Sequence, residues 1–207
     1  MGGKRKARVL WVWFCWAIFA PWVAETCFAT EISVASSVRF NIACARCHEG
    51  ECSGRLSFDL ERKTVESHIE RYAGKVGPLT RQELYAQLEY MKRECRYYPF
   101  DAAVPANRRW EAGMLQKFHD EAESAYFIPL GMLAAGSYRA DLRFDREAGA
   151  SAELISARFE IADFPGVKTT GEAASIVFRV SSEGECYIRL RVTRPASLLH
   201  LEVVPLR

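Results

Sequence analysis

The chain lacks the patterns that mark a self-contained enzyme. Its 207 residues hold no glycine-rich phosphate loop, dinucleotide fingerprint, nucleophile triad or paired-carboxylate motif, which excludes the common nucleotide-dependent and hydrolytic designs. Neither charge sign dominates. There are 28 Lys and Arg against 26 Asp and Glu, a net +2, and the two signs are interspersed, so nothing points to nucleic acid. Only Trp110 lies outside the first 29 residues among the tryptophans. No repeat and no low-complexity linker interrupts the chain. The one long apolar run, Val9 to Ala24, falls short of the roughly 20 residues a membrane span needs.

What is present is concentrated at Cys44-Ala45-Arg46-Cys47-His48. A Cys-x-x-Cys-His run is the attachment pattern for c-type haem. Two thiols two residues apart reach two vinyl groups of one porphyrin edge, and the adjoining imidazole reaches the iron. The rival readings need more than the chain supplies. A zinc site needs a second Cys/His pair. A thioredoxin-like pair needs a preceding βαβ strand. The sequence therefore predicts one covalent haem c, tethered by Cys44 and Cys47 and ligated by His48.

The N-terminus agrees with that chemistry. Lys4, Arg5, Lys6 and Arg8 precede the apolar run, as in a secretory signal. Small residues at Cys27 and Ala29 place cleavage after Ala29, so residues 1–29 read as a signal peptide and the body as periplasmic or otherwise exported. An uncleaved anchor is the competing reading; Cys27 fits a lipoprotein site poorly. Of seven cysteines, Cys52 and Cys95 are expected to pair in that oxidising compartment. Cys186 alternates with Ile188, Leu190 and Val192 and reads as a thiol on the buried face of a strand.

Two periodicities divide the rest. Residues 33–102 read as helical. Val65, Ile69, Tyr72 and Val76 form one stripe, Gly77-Pro78 breaks it, and Leu84, Leu88, Met91 and Cys95 form the next. Thr80 with Glu83 has the spacing of a capping box. Trp110, Met114 and Phe118 suggest a bridging amphipathic helix. From Ala125 the period becomes two. Tyr138, Ala140, Leu142 and Phe144 alternate with charged neighbours, as do Ile155 to Ile161, Ile176 to Val180, Ile188 to Val192 and Leu199 to Val203. Strands with one buried face follow. The predicted fold class is a two-domain α+β chain: a small all-α haem domain, then an antiparallel β-sandwich over 105–207.

Residues 36–98 resemble the monohaem class I-type cytochrome c domain. The match is carried by Cys44-Ala45-Arg46-Cys47-His48 and by Leu84-x-x-x-Leu88-Glu89-Tyr90-Met91, which is similar to that family's last helix. Gly54-Arg55-Leu56-Ser57-Phe58 with Arg62-Lys63-Thr64 is reminiscent of the haem-binding region of quinohaemoprotein amine dehydrogenases. Ala134-Ala135-Gly136-Ser137-Tyr138-Arg139 and Leu199-His200-Leu201-Glu202-Val203 resemble jelly-roll domains of the carbohydrate-binding or galactose-binding-like type. These resemblances imply a periplasmic single-electron carrier with redox protein partners, in a larger complex or free, and a β domain that takes a carbohydrate or protein ligand. The alternatives are a haem-based small-ligand sensor or a haem subunit of a larger oxidoreductase.

The far side of the iron departs from that family, because no methionine stands between His48 and Met91. His68 is one candidate sixth ligand and Met91 the other, although Met91 sits on an apolar helical stripe. An open iron is the third reading. His119 and His200 are expected to face solvent. Glu49, Glu51, Asp59 and Glu61 read as a solvated face or an acidic docking rim.

Overall fold

The computed structural model describes residues 32–48, 62–99, 101–168, 171–193 and 196–206. Residues 1–29, read above as a signal, Cys52, the acidic residues Glu49 to Glu61 and the Gly54 to Phe58 stretch lie outside the described residues. Residues 31–207 form one compact unit. No helix among the described residues is long and apolar enough to cross a membrane.

Helix α1 (Val34–Arg39) starts where the Ser33 hydroxyl accepts the Ser36 N–H at 3.2 Å, satisfying a donor the first turn cannot. The backbone then widens into a π-helical turn over Phe40–Cys44, where the Ala45 N–H reaches back to the Phe40 carbonyl. Short π-helical insertions of this kind recur at functional sites. Helix α2 (Ala45–His48) carries the rest of the motif. Helix α3 (Arg62–Ala73) ends at Gly74, whose φ of +74° suits glycine. Helix α4 (Pro78–Glu94) has Gly77 as its N-cap and Pro78 in the first turn, and closes on left-handed Cys95.

The capping box expected at Thr80 is not formed. Pro78 starts the helix earlier, because its fixed φ suits the first turn. Glu83 is used elsewhere. It is buried and accepts from the Ser33 N–H at 3.3 Å, from the Ser33 hydroxyl at 2.9 Å and from the Ser36 hydroxyl. One carboxylate thus clamps the start of α1 to α4.

The bridge is not a single helix either. Trp110 lies in strand β1 (Arg109–Glu111), followed by the short helix α5 (Ala112–Leu115), a 3-10 turn over Gln116–Phe118 and strand β2 (His119–Asp120). Pairing opposite Leu201 and complete burial hold Trp110 in the sheet; long-range burial overrides the local helical spacing.

Strands β3 (Ala125–Leu133), β4 (Gly136–Phe144), β5 (Gly149–Ser156), β6 (Ile161–Lys168), β7 (Ala173–Val180), β8 (Gly184–Val192) and β9 (Leu198–Leu206) complete two antiparallel sheets. One sheet has the order β1-β9-β4-β7 and the other β2-β3-β8-β5-β6. Their inner faces bury Ala140, Leu142 and Phe144 of β4, Tyr126 and Ile128 of β3, and Ile188 and Leu190 of β8, as the period of two requires. The Ile155 to Ile161 alternation, expected as one strand, is split: β5 ends at Ser156, Phe159 turns with φ +64°, and β6 starts at Ile161. At Gly131 (φ +75°) the register of β3 slips, and a Cβ there would lie 3.2 Å from Val104 Cγ1; glycine permits both the conformation and the close approach.

The antiparallel β-sandwich is present as expected, but a separate all-α domain is not. The helices share one core with the sheets. Tyr97, just after α4, packs edge-on against Tyr187 of β8 and Phe159, at 5.6 and 4.9 Å between ring centres. Arg191 Nη2 of β8 donates to the Ile42 carbonyl at 2.8 Å, and Arg39 meets the buried Asp120 at 2.7 Å. Both bonds fasten the segment that leads into Cys44 to the sandwich.

Candidate functional site

Two concave sites stand out, one among the helices and one at an end of the sandwich. The helical cleft has a volume of about 120 Å³. Cys44, Cys47 and His48 form one wall, His68, Ile69 and Tyr72 of α3 another, and Leu84, Tyr85 and Leu88 of α4 the third. Cys47, His68 and Tyr72 are exposed and form its rim. Ile69 and Tyr72 of one apolar stripe and Leu84 and Leu88 of the next face this cleft, since residues three and four apart share a helical face.

The sequence-predicted residues divide clearly. Cys44, Cys47, His48 and His68 meet in the cleft. The His48 and His68 ring centres are 6.1 Å apart with planes tilted 59°. Met91 is 2% exposed and does not line the cleft. Tyr72 and Tyr85 were not singled out as site residues; the available signal was that Tyr72 stands one helical turn beyond His68, and their rings lie 4.8 Å apart. Burial pushes the Cys44 thiol up to about 11, against the opposing pull of the Arg39 guanidinium, so Cys44 is a neutral thiol at physiological pH.

Between the two cysteines, Arg46 reaches the sheet. Its guanidinium lies 3.5 Å from Glu153 of β5, and Glu153 meets Arg189 of β8 at 2.6 Å. Arg189 is 1% exposed and stands over the Phe127 ring. The motif helix is therefore referenced to a buried ion pair in the sandwich.

The second site is a cleft of about 610 Å³. It opens between the β5–β6 turn, the β7–β8 turn and the segment after α4. Tyr97 and Leu154 give it an apolar floor, and Arg158, Glu160, Arg179 and Glu183 bring both charge signs to its walls. Ser181 donates to Glu160 at 3.3 Å. Cys186 lies buried at its base, as its strand position predicted, with its thiol pushed up to about 11 by burial and by Glu160. Sequence periodicity could not reveal this cleft, because two turns and the segment after α4, far apart in the chain, meet to form it.

The remaining expectations are settled in detail. His119 is half-buried rather than solvent-facing, stacked on Tyr126 at 4.3 Å, and desolvation lowers its pKa. His200 is half-buried and lies 3.2 Å from Glu111. Cys95 is disulfide-bonded, while Cys44, Cys47 and Cys186 are free; Cys52, its expected partner, lies outside the described residues. Among the described residues no three His, Cys, Asp or Glu side chains converge as ligands for a bare metal ion.

No family model matches the chain, and no curated protein matches it. Among solved structures it is similar to a family GH115 4-O-methyl-alpha-glucuronidase with specificity for decorated arabinogalactans, at 12% identity and a TM-score of 0.34, over 70% of this chain and 24% of that one. It thus spans about a quarter of that protein's length. It is also similar to a CBM35 module from Cellvibrio japonicus Abf62, at 19% identity and a TM-score of 0.27, over 39% of this chain and 64% of the module. A carbohydrate-binding module of Cellvibrio mixtus lichenase 5A, in complex with cellotriose, matches at 14% identity and a TM-score of 0.28, over 40% and 71%. The reading of the chain as a class I cytochrome is corrected: no family model matches it, and among the described residues the helices share one compact unit with the sheets rather than forming a domain of their own. The expected electron-carrier role, its redox partners and the sensor and oxidoreductase-subunit alternatives fall with it.

Proposed function

We propose that the chain is an exported carbohydrate-binding β-sandwich that also carries one covalently attached haem c. The ligand-binding part is 105–207 with Tyr97 added to its cleft, and the haem-bearing part is 33–102, as functional regions of one compact unit. The observation that carries the first half is the 610 Å³ cleft with its Arg158, Glu160, Arg179 and Glu183 walls. That volume is in the usual range of ligand sites. Guanidinium forks and carboxylates are complementary to vicinal hydroxyls, one donating and the other accepting. Opposite charges on the walls favour an uncharged saccharide, and Tyr97 with Leu154 supplies an apolar floor for a sugar ring.

The second half rests on the helical cleft. Its residues fit the group: neutral thiol and imidazole side by side, apolar side chains behind them, and an exposed rim through which a plate wider than the cavity can project. Cys44 and Cys47 would each add across a vinyl double bond, with a carbon–sulfur and a carbon–hydrogen bond formed for the S–H bond and vinyl π bond broken, and no electron gained or lost. His48 would ligate the iron from the adjoining position. When bound, haem c supplies an iron whose properties its axial ligands set.

Affinity electrophoresis through gels containing soluble polysaccharides tests the carbohydrate reading. The wild-type chain is expected to be retarded by at least one neutral polysaccharide, and the Arg158→Ala/Arg179→Ala double variant to run freely. Unretarded migration through a panel of neutral and acidic polysaccharides would sink it. Haem staining of the denatured chain tests attachment; a Cys44→Ser/Cys47→Ser variant that still stains would refute it.

A further inference from the structure

We infer that His48 and His68 ligate the same haem iron from opposite sides, making it six-coordinate through two imidazoles. The inference rests on the haem-attachment reading and adds the identity of the second ligand. Its basis is the juxtaposition in the helical cleft. Two imidazoles bound to one metal at about 2.0 Å each put their ring centres about 6 Å apart, after allowing roughly 1 Å from each nitrogen to its ring centre. The observed separation is 6.1 Å. That distance is too long for a direct hydrogen bond between the rings and fits a gap one metal ion wide. The 59° tilt leaves neither ring stacked on the other.

The other side chains of the cleft leave few alternatives. Among the described residues that line the cleft, none carries a formal charge and none is a methionine. Once the thiols of Cys44 and Cys47 are committed to thioether bonds, the two imidazoles are the only side-chain nitrogen donors among the described lining residues. Met91 is fully buried on α4 away from the cleft, so to reach an iron there it would have to leave the core. His68 is held by α3 itself: Tyr72 packs one turn further along, against the His68 ring. Tyr72 is therefore a positioning residue for this ligand.

The test is the visible spectrum of the purified holoprotein, oxidised and reduced, with and without CO, alongside haem staining of the denatured chain. Wild-type protein is expected to be low-spin in both states and unchanged by CO. His68→Ala is expected to become high-spin and to shift with CO, and added imidazole should restore the low-spin spectrum. Met91→Leu should leave the low-spin spectrum in place. His68 is exposed, so its truncation is not expected to prevent folding; the imidazole rescue confirms an intact pocket. A low-spin, CO-insensitive spectrum in His68→Ala, or a high-spin wild type that stains for covalent haem, overturns the inference alone. A wild-type chain without stain overturns the attachment reading and the inference together.

Discussion

Replacing Glu83 with alanine should lower stability by about 3 kcal/mol. The Glu83 carboxylate is 5% exposed and accepts three bonds from Ser33 and Ser36. Hydrogen bonds to a charged group contribute about 1.5–3 kcal/mol each, and removing one partner leaves the others to desolvate unpaired. Three such bonds do not add fully, and losing the carboxylate also removes its own burial cost, so about 3 kcal/mol is the reasonable net. For a chain of this length each kcal/mol shifts Tm by roughly 2–4 °C, so a drop of about 6–12 °C is expected. Thermal unfolding followed by far-ultraviolet circular dichroism reads it. A double-mutant cycle with Ser36→Ala then isolates the shared term, expected at about 1 kcal/mol or more. A Tm within about 2 °C of wild type would refute the reasoning, because a buried carboxylate with three partners cannot be both intact and irrelevant. The effect also bears on the helical cleft. Glu83 precedes Leu84 and Tyr85, which line it, so the carboxylate fixes the spacing between the wall on α4 and the helix that leads into Cys44.

Further outcomes follow from single contacts. Trp110→Ala should cost about 3–5 kcal/mol by cavity formation, but Trp110→Phe less than about 1.5 kcal/mol, because the indole N–H has no hydrogen-bond partner among the described residues; denaturant titration separates the two. Glu153→Ala removes the 2.6 Å carboxylate from fully buried Arg189 and should cost about 3 kcal/mol, whereas Arg46→Ala cuts a 3.5 Å half-exposed pair and should cost under about 1 kcal/mol. Cys186 has its thiol raised from 9.0 to about 11. The unfolded thiol ionises first as pH rises, so the stability from keeping it neutral is full below pH 9 and declines toward pH 11; Cys186→Ala should flatten that alkaline decline in a pH series of unfolding curves, and an identical slope would count against it.

Much of the β layer was legible in the sequence because a strand's period of two is a local property. Tyr138 to Phe144 and Ile188 to Val192 alternate, and a face that alternates must be buried on one side. That Cys44, Cys47 and His48 stand together was legible for a similar reason, because they are neighbours in the chain. Local spacing misled where long-range burial decided the outcome. Trp110 fits a helix by its spacing to Met114 and Phe118, yet pairing opposite Leu201 places it in a strand. Glu83 fits a capping box, yet Ser33 and Ser36, about fifty residues earlier, take its carboxylate.

The sequence by itself therefore determined the strand-forming segments, the apolar helical stripes and the grouping of two thiols and an imidazole, since each depends on residues within one or two turns of chain. The tertiary structure alone decided that helices and sheets share a single core, that His68 shares a cleft with His48 while Met91 lies in the core, and that two turns and the segment after α4 enclose a cleft beside Cys186. These depend on which faces pack together, and packing is set by contacts between residues far apart in the chain, where shape and burial outweigh local preference.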